Sequence, residues 1–283
     1  LGLQFAIGCA AGLVLSSAMS LPKGWVGLRY RGMVAGIISA GGPLGSVISG
    51  PLMPFFLVRF GANGWRYGWF ALGLTVVVFG FLGLVFLRNH PSEKGLAPLG
   101  TAVETRPLPQ GGPVDWGRLY RSPLMWHVWA LQSGSTLGAI SFNTFFAAYL
   151  MNERAVDTST SGQLWGLAGI VGIISGFVWG GFSDRLGRKP GLVGIFGIQA
   201  VCFALFAAGS STLVFALCAF LYGVTARGVL TVTAAYLGDM LDDHLAAAAL
   251  GICSLFAGIG QAIGPYITGY IADSTSSFAL AFW

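Results

Sequence analysis

The sequence predicts an all-α, polytopic membrane protein of about eight transmembrane helices in two groups, with the start of a ninth helix at its end. Hydrophobic residues make up 55% of the chain and charged residues 9%, where a soluble domain carries about 25% charged residues. Its apolar residues fall into runs long enough to cross a bilayer, for which about 20 residues of helix suffice. Lys and Arg gather on alternate connections between those runs, the asymmetry expected of a protein threaded back and forth through a membrane. A soluble chain of 283 residues with a mean hydropathy of +0.75 could not hide its apolar surface without a charged exterior.

The spanning segments are expected at Leu1 to Met19, Met33 to Val58, Tyr67 to Leu87, Leu124 to Leu150, Gly162 to Phe182, Leu192 to Ala208, Leu213 to Leu237 and Ala246 to Ile271. A further apolar run opens at Phe278 and stops at Trp283, and the first run begins without a methionine or a charged flank. Both ends are therefore expected to be truncated. The first run has no basic leader, and Pro22-Lys23-Gly24-Trp25 follows it where a signal peptide would place a small-residue cleavage pattern.

Alternation puts loops 20–32, 88–123, 183–191 and 238–245 on one side of the membrane. That side carries eleven basic residues, namely Lys23, Arg29, Arg31, Arg88, Lys94, Arg106, Arg118, Arg121, Arg185, Arg188 and Lys189; the other carries three, Arg59, Arg66 and Arg154. By the positive-inside rule the richer side is cytoplasmic, in a plasma or bacterial inner membrane. These basic residues sit in short loops and form no continuous stripe, so the net charge of +5 implies no nucleic-acid partner.

Residues 88–123 are polar and rich in Pro and Gly, as in Pro107-Leu108-Pro109-Gln110-Gly111-Gly112-Pro113, and read as an exposed cytoplasmic linker. They separate a three-helix partial bundle, 1–87, from a bundle of five helices and the start of a sixth, 124–283. A faint repeat crosses the divider: Gly36-Ile37-Ile38-Ser39 with Gly45 matches Gly251-Ile252-Cys253-Ser254 with Gly260 at a constant offset.

The strongest local motif is Gly180-Gly181-Phe182-Ser183-Asp184-Arg185-Leu186-Gly187-Arg188-Lys189, at the cytoplasmic end of the fifth segment. Gly187 permits a tight turn, Arg185, Arg188 and Lys189 suit anionic headgroups, and Asp184 can face the positive end of a neighbouring helix. This G-x-x-x-D-R-x-G-R-K pattern resembles the signature loop of the major facilitator superfamily, which recurs after that family's second and eighth helices. With the long linker two helices upstream, this copy matches the later position. The segments before the linker then resemble the family's fourth to sixth helices, and those after it the seventh to eleventh. Arg29-Tyr30-Arg31-Gly32-Met33-Val34-Ala35-Gly36 resembles the basic loop and Gly-rich start of the fifth. Gly260-Gln261-Ala262-Ile263-Gly264-Pro265 with Gly269 is similar to the glycine–proline packing pattern of the family's antiporters, with Thr268 where a glycine is expected. The resemblance implies two six-helix bundles around a central cavity, transport of small solutes by alternating access, and Asp184 docked on the other bundle near Arg31 and Gly32. The Gly-rich helices and an intramembrane arginine look similar to the monocarboxylate and oxalate–formate exchanger branch.

That arginine is Arg227, in Tyr222-Gly223-Val224-Thr225-Ala226-Arg227-Gly228 near the middle of the seventh segment. A guanidinium at mid-bilayer costs several kcal/mol unless it meets a partner, a carbonyl or a wet cavity. No Asp or Glu lies deep in the segments to neutralise it. Its planar fork suits a carboxylate or phosphate, so an organic anion is one expectation and a structural partner on another helix the other. Gln132, Thr136 and Asn143 share one face of the fourth segment, and Ser254 and Gln261 are seven apart on the eighth. Gln132, Asn143 and Gln261 are candidate cavity-lining residues beside Arg227, although a polar stripe also serves as interhelical glue. Trp126, Trp129, Tyr149 and Trp165 are expected to be interface anchors.

Cys9, Cys202, Cys218 and Cys253 lie in apolar runs without CxxC spacing and read as small core residues. Asp239, Asp242, Asp243 and His244 read as a hydrated loop rather than a metal site. Lys23, Lys94 and Lys189 are followed by Gly, Gly and Pro, so the chain has no G-x-x-x-x-G-K-[ST] phosphate loop. No cofactor, metal or ATPase subunit is implied, and energy would come from a gradient. Paired acids, a Ser–His pair or HExxH would suggest an intramembrane enzyme, and none is found. The expected function is secondary transport of a small solute, probed against the alternative of a transmembrane receptor or sensor, for which no signalling domain is visible.

Overall fold

The computed structural model describes residues 40–88, 91–97, 99 and 114–282, with single positions before 40 (10, 14, 18, 21, 25, 26, 34, 37 and 38). Apart from positions 10, 14 and 18 the expected first segment falls outside the described residues, as do the stretches Arg29 to Gly32 and Pro107 to Pro113. Described elements are helical apart from one isolated bridge, Val26 to Leu99. The chain divides into two compact units, Leu1–Gly42 with Trp65–Gln110, and Pro43–Gly64 with Gly111–Trp283.

In the first unit the principal element is the greater part of a helix at Gly64–Phe86, α2, whose 23 residues extend about 35 Å at 1.5 Å per residue. Phe70, Phe79, Phe81 and Leu84 stand exposed on it, as lipid-facing side chains do. Beyond α2, the Trp25 indole donates to the Arg88 carbonyl at 2.9 Å, and Leu99 N–H donates to the Trp25 carbonyl at 2.9 Å.

The second unit begins at Pro43 within α1, Gly41–Phe60, which carries Pro51 and Pro54 in its interior. Gly61, at φ 55°, turns the chain through a short 3-10 segment, Gly61–Asn63, into α2. Asp115 caps the short α3, Trp116–Tyr120, by accepting from Arg118 N–H. Then follow α4, Pro123–Asn152, with Pro in its first turn, and α5, Thr158–Leu186, capped by Asp157 on Thr160 N–H. Hydrogen bonding from the Thr160 side chain, and then from its backbone N–H, holds the Asp157 carboxyl below the usual carboxylate range. Gly187 alone joins α5 to α6, Arg188–Ala208, and its φ of 101° is a backbone state that a side chain resists.

The expected seventh segment is two helices, α7 at Thr212–Thr225 and α8 at Gly228–Met240, a correction to the single helix read from the apolar run. The chain continues as α9, Asp243–Thr275, ended by Ser276 in the left-handed region, and a short α10, Ala279–Phe282. Among the described residues, five stretches are long and apolar enough to cross a membrane: Gly41–Phe86, Thr158–Leu186, Arg188–Ala208, Thr212–Met240 and Leu245–Thr275. The 30 residues of α4 match these in length, but Gln132, Ser133, Ser135, Thr136, Ser141, Asn143 and Thr144 make it more polar.

Small residues set how closely these helices approach. A Cβ on Gly162 of α5 would lie 2.1 Å from the Gly50 carbonyl oxygen of α1, and one on Gly260 of α9 would lie 2.3 Å from the Ser133 carbonyl oxygen of α4. Gly264, one turn on, meets the Leu137 carbonyl in the same way, and Thr268, where a glycine was expected, is buried another turn along. Such backbone-to-backbone packing is how membrane helices gain dispersion energy when lipid removes the hydrophobic incentive to associate.

An aromatic cluster of Phe142, Phe146, Tyr149, Phe206, Phe215, Tyr222 and Phe282 forms the core among α4, α6, α7 and α10. Tyr149 and Trp129 are fully buried and are not interface anchors. Tyr149 donates its hydroxyl to the Ala207 carbonyl at 2.9 Å and accepts from Arg154, whose guanidinium also reaches Ala207, so its polar end is satisfied inside the protein. Trp126, 48% exposed, keeps the expected exposed position. Cys202, Cys218 and Cys253 are buried and free, as expected of core residues.

Candidate functional site

The discontinuity between α7 and α8 is built from glycines and from two side chains of α5. A Cβ on Gly223 would lie 2.6 Å from the Ala168 carbonyl oxygen, and one on Gly228 would lie 2.7 Å from Cδ1 of Trp179. Those glycines let both helix ends press onto α5, and the Trp179 ring fills the notch. The Val224 carbonyl, freed from the helix, accepts from Ser175 Oγ at 2.6 Å and from Trp179 Nε1 at 2.8 Å. Arg227 N–H donates to the same Ser175 hydroxyl at 3.1 Å, and the Arg227 carbonyl accepts from Thr231 Oγ1 at 2.9 Å. The Val224 carbonyl and the Arg227 N–H and carbonyl are thus satisfied within the protein, as a membrane interior requires.

Arg227 occupies the N-cap position of α8 without a side-chain cap bond. It is half-buried, and among the described residues its guanidinium has no ion-pair partner. The positive end of the α8 dipole lies at the same point. Tyr222, one turn back, is buried between Phe142, with ring centroids 4.6 Å apart, and Trp165 at 6.5 Å. The Asn143 side chain and Arg227 both lie near its hydroxyl. The arrangement gathers a cation, an amide, a phenol and a helix N-terminus, a donor-rich group suited to an anion.

Of the candidate lining residues, Asn143 and Gln261 are exposed, whereas Gln132 is buried in the second unit with its Oε1 unpartnered. Asn143 comes together with Arg227 around Tyr222. No hydrogen bond joins Gln132 or Gln261 to Arg227. The sequence reading did not single out Ser175, Trp179 and Tyr222. A detectable signal was present on α5, where Ser175, Trp179 and Ser183 recur every fourth residue and are all buried.

In the signature loop, Gly180 packs its open side toward Thr231 of α8, where a Cβ would lie 3.6 Å from Cγ2. Asp184 pairs with Arg188, and Arg188 also donates to Ser183 Oγ at 2.8 Å and to Asp239 Oδ2 at 2.8 Å. Arg188 therefore ties the start of α6 to the last turn of α8. Arg185 and Lys189 are exposed beside Gly187. The partner expected for Asp184, the helix start near Arg31 and Gly32, is outside the described residues. Asp242 pairs with Arg118 at 3.5 Å, while the side chains of Asp243 and His244 are outside the description.

The family model described as Major Facilitator Superfamily matches residues 1–209 and 173–283. A hexuronate transporter of Bacillus subtilis (strain 168) is 25% identical, over 99% of this chain and 68% of that protein. A probable L-galactonate transporter of Escherichia coli (strain K12) is 26% identical over 91% of this chain and 59% of its own length. A probable galactarate/D-glucarate transporter of the same organism is 22% identical over 98% of this chain and 66% of its own length. Among solved structures, a bacterial homologue of the human lysosomal transporter Spinster, inward-facing and unoccupied, superposes with a TM-score of 0.67 at 17% identity, covering 91% of this chain and 59% of that one. That likeness establishes a shared fold.

Proposed function

This chain belongs to the major facilitator superfamily, and from that premise we propose that it forms part of a secondary transporter that moves a small organic anion by alternating access, with Arg227 as the charge partner of the substrate's carboxylate. The observation that carries the reading is the half-buried guanidinium without an ion-pair partner among the described residues, set at the N-terminus of α8. An arginine in that position costs several kcal/mol unless an anion or water relieves it, and a carboxylate accepts its two parallel N–H groups at once. Asn143, exposed beside Tyr222, supplies a further polar contact for the substrate, and Gln261 and Gln132 are the remaining candidate positions. The named relatives support the substrate class, since hexuronate, galactonate and glucarate are all carboxylates.

In this reading the basic connections, 20–32, 88–123, 183–191 and 238–245, face the cytoplasm. Residues 1–87 and 124–283 belong to opposite bundles joined by the linker. Gly180, Asp184, Arg185, Gly187, Arg188 and Lys189 form a switch whose contacts change as the bundles rock.

The test is uptake into proteoliposomes by the protein at its full natural length, with galacturonate, galactonate and the neutral sugar galactose as solutes. Arg227→Lys keeps the charge but loses the planar fork, and is expected to reduce uptake of both acids at least tenfold. Equal uptake of galactose and the acids, or indifference to both Arg227→Lys and Arg227→Gln, would refute the anion assignment and leave the family membership untouched.

A further inference from the structure

Ser175 is buried on α5, with 0% of its surface exposed, yet it makes one hydrogen bond to α7 and one to the N-cap residue of α8. Its hydroxyl donates to the Val224 carbonyl on one side of the break and accepts from Arg227 N–H on the other. We propose that Ser175 is a positioning residue for the substrate's charge partner: it bridges α7 and α8 and so fixes the direction in which Arg227 points. The inference rests on the reading of Arg227 given above.

The argument is one of hydrogen-bond capacity. In an unbroken helix Arg227 N–H would bond to the Gly223 carbonyl and the Val224 carbonyl would accept from Gly228 N–H. Here Ala226 N–H takes the Gly223 carbonyl at 3.3 Å, a tighter i to i−3 bond, and Arg227 N–H and the Val224 carbonyl are among the groups left without helical partners. A hydroxyl donates and accepts at once, so one serine satisfies both groups. Alanine satisfies neither. Trp179 supports only the carbonyl side, through Nε1 at 2.8 Å.

Without the Ser175 hydroxyl, Arg227 N–H loses its partner and the Val224 carbonyl keeps one donor. The chain's remedy is to rewind α7 into α8. Because each residue advances a helix by about 100°, even a one-residue change in winding turns the Arg227 side chain away from Tyr222 and Asn143.

The experiment uses the full-length protein in proteoliposomes, with galactonate as the acid and galactose as its neutral counterpart. In Ser175→Ala the KM for galactonate is expected to rise about tenfold with kcat little changed, while Ser175→Thr, which keeps the hydroxyl, restores it. Trp179→Phe, which keeps the ring and loses the N–H, is expected to give a smaller rise. A purely structural serine would instead lower the melting temperature and the amount of active protein at constant KM, and that result would overturn the proposal.

Hydrogen–deuterium exchange over residues 222–231 supplies a readout that needs no substrate. Rewinding gives Gly228 N–H the Val224 carbonyl as its helical partner, so exchange at that amide is expected to slow at least tenfold in Ser175→Ala, and unchanged protection also overturns the proposal. If Ser175→Ala does not fold, wild-type KM and wild-type exchange in Trp179→Phe overturn it. The two readings fail separately: a KM shift in Arg227→Lys with none in Ser175→Ala removes only the positioning role, whereas indifference to Arg227→Lys and Arg227→Gln removes the anion site itself.

Discussion

Replacing Gly162 by alanine tests whether the packing of α1 on α5 depends on bare backbone. The added Cβ would stand 2.1 Å from the Gly50 carbonyl oxygen, where ordinary contact begins at 3.4 Å, so the helices must part by about 1.3 Å at that point. It would also stand 2.4 Å from Cγ of Pro54, which a closed ring cannot move aside. Overpacking of this kind costs about 1 to 3 kcal/mol, and alanine's better helix propensity returns at most about 1 kcal/mol. The expected outcome is a net loss of about 2 kcal/mol at the upper end of that range, or a fall of several degrees in melting temperature. The assay is thermal unfolding of the purified full-length protein in detergent, followed by tryptophan fluorescence. Gly197→Ala on α6 is the control, because a Cβ there meets nothing within 4 Å and the residue is exposed. It is expected to leave the melting temperature unchanged or raise it slightly. Equal stability of Gly162→Ala and wild type, or equal losses in the two variants, would refute the claim that this crossing is limited by backbone contact.

Gly187→Ala places a side chain at φ 101° and is expected to cost about 1 to 2 kcal/mol; the same melting assay checks it, and a neutral result would show that the turn from α5 to α6 relaxes freely. Asp239→Asn removes one carboxylate from Arg188, but Asp239 is 57% exposed, so solvent screening holds its cost below about 1 kcal/mol. Arg188→Ala, which removes contacts to Ser183, Asp184 and Asp239 together, is expected to lower the melting temperature more than Asp239→Asn does; the reverse order would refute the role of Arg188 as the link between α6 and α8.

Much of the fold was legible because lipid imposes a simple rule. A backbone crossing hydrocarbon must satisfy its own hydrogen bonds, so each long apolar run had to be helical. The runs at Leu124 to Leu150, Gly162 to Phe182 and Leu192 to Ala208 correspond closely to α4, α5 and α6. The Gly260 and Gly264 pair was read as packing, and it meets the backbone of α4. Burial of Trp129 and Tyr149 was not legible. Proximity to a segment end places an aromatic residue at the right depth for an interface, but depth does not say which face of the helix turns inward. The partners that turn Tyr149 inward, Ala207 and Arg154, lie 58 and 5 residues away.

The candidate site shows the same limit more sharply. Arg227 stood out in the sequence because a charge in an apolar run is costly, but the run around it gave no sign that the helix is interrupted. Hydropathy records how apolar a residue is and is blind to how its backbone is bonded. The break is decided by Ser175 and Trp179, 52 and 45 residues distant from the groups they bond, and by Gly223 and Gly228, which admit α5 to the backbone of α7 and α8. A serine and a tryptophan in an apolar helix are unremarkable singly. Their spacing, with Ser183 a further turn along, acquires meaning once a neighbouring helix is known to present an unpaired carbonyl. Arg227 is thus a charge whose presence the sequence announces, while the bonding of the backbone that carries it is decided by residues of another helix.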